Sequence, residues 1–193
     1  PPFFLNPNIE QIKEHIFSIL DAVNIPVLVQ YAPGETKKII PVEEMATIEK
    51  KYKNAVFKLE PNPPMDYVKG MLQLAPNAKI LIGYAGLYML DVLNAGGKGT
   101  MPGCSFTEIY IEINRLWKDN KKDEAQMLHE KLMKYVRIWM SHPEYIIKVE
   151  KVILNKRGII DSAYCRKPEW TLTAKDYEDI DNFLEEFSSI LDK

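Results

Sequence analysis

Ala55-Val56-Phe57-Lys58-Leu59-Glu60 is the stretch whose reading decides the fold. Three apolar residues in a row, closed two residues later by Glu60-Pro61, make a run too short for a helix, and it reads as a strand buried on both faces. Upstream, residues 41–52 carry helical spacing, and downstream Pro64 opens a second helical pattern that runs to Ala75. A strand between two helices, all joined by short connections, is the unit of a parallel sheet.

The same alternation extends both ways. Ile9, Ile12, Ile16, Ile19 and Leu20 follow the helical period after Asn6-Pro7-Asn8, which supplies a cap and a first-turn residue, so a helix is predicted over about 8–23. Ile25-Pro26-Val27-Leu28-Val29 is the next strand, closed by Ala32-Pro33-Gly34. Lys79-Ile80-Leu81-Ile82 follows the helix that Pro64 opens, and a helix over 87–94 leads through Gly96-Gly97 to Lys98-Gly99-Thr100-Met101. Four βα units result. From Phe106 onward the pattern is helical only, over 106–118, 122–140, 144–156 and 174–191, the last capped by Thr173. Four βα units fit either a small doubly wound sheet or part of a (β/α)8 barrel. Neither GxGxxG nor GxxxxGK[ST] is present, which disfavours the nucleotide-binding doubly wound folds.

Composition bounds the function. The 193 residues hold 25 Lys+Arg against 27 Asp+Glu, a net charge of −2, with 46% hydrophobic and 27% charged residues. That is globular rather than disordered, and it lacks the basic excess of a nucleic-acid or anionic-membrane binder. Cys104 and Cys165 form no disulfide framework or ligand spacing, and His15, His129 and His142 are scattered, so no metal and no cofactor are expected. A reducing compartment, the cytoplasm, fits. Pro1-Pro2-Phe3-Phe4 has neither an initiator Met nor a signal-peptide order, and the start reads as truncated.

Lys58 is the residue with chemistry to offer. An ammonium at the carboxyl end of a buried strand is costly unless it loses its proton or finds a partner, and a desolvated amine is a nucleophile toward carbonyl compounds. The alternative is a strand-end lysine that reaches solvent or pairs with Glu60. Gln30-Tyr31, Gly83-Tyr84 and Thr100-Met101-Pro102-Gly103 end the other strands, at the level where α/β folds build their sites. Tyr31, adjacent to Gln30 on an alternating strand, is expected to face the packing side. Met127, Leu128, Leu132, Met133, Ile138 and Trp139 form a helical apolar stripe, with His129 read as a surface or interface residue.

Taken in order, Pro1-Pro2-Phe3-Phe4, Ile25-Pro26-Val27 running into Pro33-Gly34-Glu35-Thr36, Val56-Phe57-Lys58-Leu59-Glu60 and Gly96-Gly97-Lys98-Gly99 resemble the dihydrodipicolinate synthase/N-acetylneuraminate lyase family. His142-Pro143, Ile147-Lys148, Gly158-Ile159 and Arg166-Lys167-Pro168 resemble its C-terminal helices. The resemblance implies an α/β fold: the C-terminal half of a TIM (β/α)8 barrel, family strands five to eight over residues 1–118, then a helical segment over 119–193. It further implies a homo-oligomer, and Lys58 as the lysine that forms a Schiff base with pyruvate or another small 2-oxo acid.

Two departures redirect the activity. Gln30 stands where the family places a proton-relaying tyrosine, and glutamine hydrogen-bonds without exchanging a proton near neutral pH. Glu35 replaces the arginine that binds a second carboxylate in true dihydrodipicolinate synthases. The resemblance therefore implies an aldolase or dehydratase acting on a sugar-acid-like 2-oxo substrate, with Lys58 and Gln30 catalytic and Gly83, Thr100, Met101, Glu35 and Glu60 binding substrate. A non-catalytic 2-oxo acid binder on the same fold is the alternative. With half a barrel absent, the chain alone is expected to be inactive, and the barrel-interior residues Val27, Val29 and Val56 to be uncovered.

Overall fold

The structure, a computed structural model, describes residues 6–191; Pro1-Pro2-Phe3-Phe4 lies outside them. The chain divides into two compact units, 1–101 and 102–193. The helix that begins at Thr107 packs with the later helices.

The first unit holds helix α1 (Ile9–Ala22), strand β1 (Val27–Tyr31), a helical turn α2 (Pro33–Thr36), α3 (Val42–Lys51), β2 (Ala55–Leu59), α4 (Pro64–Leu74), β3 (Ile80–Ile82), α5 (Met89–Asn94) and β4 (Gly99–Thr100). Asn8, rather than Asn6, caps α1: its side chain accepts from the Gln11 amide while Gln11 returns a bond to the Asn8 amide, the reciprocal arrangement that satisfies two orphan donors. All four strands are parallel and lie in the order β1-β2-β3-β4. Gln30 is level with Lys58, Lys58 with Leu81, and Leu81 with Gly99.

Strand alternation sorts the residues. Val29, Tyr31, Phe57, Leu59, Ile80 and Ile82 are buried in one apolar cluster with α1, α3, α4 and α5. Leu28, Gln30, Val56, Lys58 and Leu81 are the half-buried or exposed alternates. The helices of this unit thus cover one sheet face, whereas a doubly wound fold carries helices on both. Val27 and Val29 are corrections to the expected set of uncovered residues: Val29 is in the helix-covered core and Val27 packs against it, and Leu28 is the β1 residue on the other face with Gln30. Tyr31 packs as expected; its hydroxyl accepts the Ile40 amide at 3.2 Å, and the Tyr67 hydroxyl donates to the Ile40 carbonyl at 2.9 Å. Burial pushes both phenols above their usual range.

The second unit holds α6 (Thr107–Lys118), α7 (Lys122–Trp139), α8 (Pro143–Lys156) and α9 (Ala174–Leu191). Phe106, Trp139 and Phe183 meet at its centre with ring centroids 5.1–6.1 Å apart. Thr173 caps α9, its hydroxyl accepting from the Asp176 amide while Asp176 accepts the Thr173 amide. His129 is buried, not a surface residue, because α7 turns it inward with Ala125, Leu132 and Met133. Met127 and Ile138 leave the predicted stripe and are exposed. No helix of the described residues is long and apolar enough to cross a membrane.

Candidate functional site

Lys58 is the fourth residue of β2, between the core residues Phe57 and Leu59. Those neighbours fix the strand, and alternation sends the lysine to the face the helices leave free. Its Nζ lies 3.7 Å from Oε1 of Glu60, and both side chains are largely buried, with 17% and 19% of their surface exposed. The alternative of a lysine paired with Glu60 is therefore the arrangement of the free chain.

Three groups hold Glu60. The Gln30 amide Nε2 donates to Oε2 at 2.7 Å across the β1–β2 pair. The Tyr84 backbone amide donates to Oε1 at 3.4 Å, and the Tyr84 hydroxyl donates to the Glu60 carbonyl at 2.8 Å. Gly83, which follows β3, lies so close that a Cβ built on it would overlap Oε1, Cδ and Cγ of Glu60. Tyr84 and Ala85 both have left-handed backbones, φ 52° and 45°, and Gly86 continues at 76°. A left-handed turn on two non-glycine residues is uncommon and is held only where its surroundings dictate it. The Tyr84 phenol sits above its usual range, first through burial and then through the negative charge of Glu60, with Tyr88 and Glu35 adding to it.

Of the predicted site residues, Gln30, Lys58, Glu60 and Gly83 come together. Thr100 lies one strand beyond, level with Ile82, and its hydroxyl donates to the Ile82 carbonyl at 2.8 Å. Met101 is exposed. Glu35 is exposed in α2 and reaches the cluster through its charge on Tyr84. Tyr84 itself was legible only as the neighbour of Gly83, because a left-handed turn on Tyr-Ala carries none of the usual Asn or Gly signal. Among the described residues no group of three His, Cys, Asp or Glu side chains could hold a metal ion.

The assembled group is a nucleophile-capable amine beside an anchored carboxylate at the carboxyl ends of parallel strands. The fold and site define an α/β protein with an amine–carboxylate pair at the carboxyl edge of its sheet. The chain belongs to the dihydrodipicolinate synthetase family, which it matches over residues 1–187. It is 28% identical over 134 residues to a 4-hydroxy-tetrahydrodipicolinate synthase of Flavobacterium psychrophilum, covering 68% of this chain and 46% of that protein. It is 25% identical over 174 residues to an uncharacterized DapA-like lyase of Thermofilum pendens, covering 87% and 57%. Among solved structures, dihydrodipicolinate synthase from Rhodopseudomonas palustris superimposes with a TM-score of 0.79 at 25% identity, over 96% of this chain and 64% of that one. A prophage protein of the same family from E. coli K12, in complex with pyruvate, gives 0.79 at 16% identity, over 97% and 64%. The chain spans about half the length of the curated relatives it matches.

Proposed function

We propose that the chain supplies the imine-forming part of a lyase: Lys58 attacks the C2 carbonyl of a pyruvate-like 2-oxo acid. The carbinolamine then loses water, and the resulting protonated imine withdraws electrons from the adjacent carbon, easing carbon–carbon cleavage or loss of a hydroxyl. The observation that carries this reading is the Lys58–Glu60 pair, a half-buried amine 3.7 Å from a carboxylate at the end of β2. Glu60 is placed to take a proton from the ammonium, freeing the amine, and to return it to the departing hydroxyl. The pyruvate complex of the prophage relative supports the substrate class.

The resemblance implies that β1–β4 are family strands five to eight and that 119–193 is the C-terminal segment; the consecutive strand order and the one-sided helix cover are those of a barrel segment. On this reading the exposed alternates Leu28, Gln30 and their neighbours face a barrel interior, and the outer edges of β1 and β4 invite self-association or another chain. Glu35 disfavours a second anionic substrate, which points away from dihydrodipicolinate synthesis and toward cleavage or dehydration of a single hydroxylated 2-oxo acid, such as a 2-oxo-3-deoxy sugar acid. The activity belongs to a complete barrel: Lys58 forms the imine, and turnover needs groups beyond these four strands, because positioning supplies up to about 7–11 kcal/mol of a barrier reduction.

Treatment with pyruvate and borohydride tests the assignment. Irreversible mass on the peptide containing Lys58, absent in Lys58→Ala, is expected; labelling on another lysine, or none, overturns it. The second reading, a non-catalytic 2-oxo acid binder, is favoured by Gln30, whose amide moves no proton. It wins if a full-length relative carrying Lys58, Glu60 and Gln30 binds 2-oxo acids without lyase, aldolase or dehydratase turnover.

A further inference from the structure

We propose that Gly83 is a positioning residue whose missing side chain forms the seat for the Glu60 carboxylate, with Gln30 as the opposite wall. The inference rests on the imine-forming reading of Lys58 for its chemistry and goes beyond it in assigning what Gln30 and Gly83 do. Both were expected to meet substrate. In the structure both are spent on Glu60.

The argument is geometric. Glu60 follows β2 and could extend into solvent, as a glutamate after a strand ordinarily does. Instead its carboxylate is drawn over the end of β3, into space that any Cβ at Gly83 would occupy. The Gln30 Nε2 bond at 2.7 Å pulls on one oxygen, and the Tyr84 amide at 3.4 Å meets the other. The second oxygen is also the one nearest Lys58. Glu60 is thus gripped from β1 and from β3 while it reaches the amine of β2. The left-handed backbone at Tyr84 and Ala85 belongs to the same device, since it turns the Tyr84 amide back toward Glu60 and lets the phenol close on the Glu60 carbonyl. Gln30 is then no failed tyrosine. It is the residue that holds the carboxylate, and the carboxylate is the group that can carry a proton.

A residue that acts through Glu60 must lose its effect when Glu60 is gone, which a merely structural residue would not. The test compares the 193-residue chain with Gly83→Ala, Gln30→Leu, Glu60→Ala and the two double variants that combine each with Glu60→Ala, all checked for folding by circular dichroism. Two rates are read by peptide mass: reductive trapping of pyruvate at Lys58, and acetylation of Lys58 by acetic anhydride, which needs no imine. Trapping is expected to slow by about 100-fold in each single variant, the low end for a displaced or missing proton-transfer group. The double variants are expected to match Glu60→Ala alone in both readouts. Additive losses, or single variants that match the unmodified chain, overturn the seat. Should the unmodified chain fail to trap pyruvate, the imine reading falls, and the acetylation rates decide the seat by themselves. If Gly83→Ala does not fold, Gln30→Leu and its double decide between the same outcomes.

Discussion

Gln30 and Glu60 are joined by a hydrogen bond of 2.7 Å between side chains thirty positions apart in sequence. One lies on β1 and the other just past β2, so the bond depends on the parallel pairing that sets Gln30 level with Lys58. A single-residue slip of β1 would send Gln30 into the core and bring Tyr31 to the site.

Replacing Gln30 by Tyr is expected to fail to restore the family's proton relay in this chain. The phenol would enter the space of the Gln30–Glu60 bond and displace the carboxylate from Lys58. Reductive trapping of pyruvate is expected to be slower in Gln30→Tyr than in the unmodified chain, and a faster rate would refute the account.

Phe57→Ala is expected to destabilise the first unit by about 3–5 kcal/mol, the cost of truncating a large buried aromatic. Phe57 is fully buried between Val29 and Ile80 on the neighbouring strands. Urea denaturation followed by tryptophan fluorescence is unsuitable, since Trp117, Trp139 and Trp170 all lie in the second unit; circular dichroism or hydrogen exchange at β2 reports the change.

Tyr31→Phe removes the acceptor for the buried Ile40 amide. Stranding a buried backbone donor costs about 1–3 kcal/mol, and hydrogen exchange at the Ile40 amide is expected to speed accordingly. Unchanged exchange would mean that another acceptor takes over.

The second unit carries two carboxyls that respond to pH in opposite directions. Burial pushes Glu150 up to about 7 from its ordinary 4.5. Its folded-state affinity for the proton is raised, so the unit is most stable at acid pH with respect to this group and loses stability as pH rises from 4.5 through 7. By linkage the loss reaches about 3 kcal/mol at pH 8. Glu150→Gln is expected to flatten that slope in thermal melts between pH 5 and 8, and an unchanged slope would count against it.

Glu108 goes the other way. The Arg157 guanidinium, hydrogen-bonded to it at 2.6 Å, holds its carboxyl below the usual 4.5. That contribution is present above pH 4.5 and is lost as pH falls through the lowered value. Arg157 also donates to the Ser105 and Leu191 carbonyls. Arg157→Ala is therefore expected to lower the melting temperature at every pH, with the gap to the unmodified chain narrowing below pH 4.5. A gap that widens toward acid would refute the pairing.

The elements were legible because each apolar run was bounded by punctuation the chain itself supplies. Pro64 opens α4, Gly96-Gly97 leads to β4, and Thr173 caps α9. Lys58 stood out for a comparable reason: a charge inside an apolar run conflicts with its surroundings, and that conflict is visible in one dimension. The seat around Glu60 was not visible in that way. It depends on three strands in register and on a left-handed turn at Tyr84-Ala85, where neither residue type announces the geometry. Val27 and Val29 lie in a continuous apolar run, where periodicity does not tell the two faces apart. His129 is not legible in this way, because a polar residue on a helix face signals solvent while α7 buries that position.

The strand β2 is clamped through Ala55, Phe57 and Leu59 and open through Val56 and Lys58. The amine therefore rides on a strand whose alternate residues are fixed in the core, while Gln30 and Thr100 stand less buried at the ends of the neighbouring strands. Such a division lets a lineage exchange the groups around an unchanging nucleophile, and it lets an engineer do the same, redesigning what is recognised without relocating the atom that reacts.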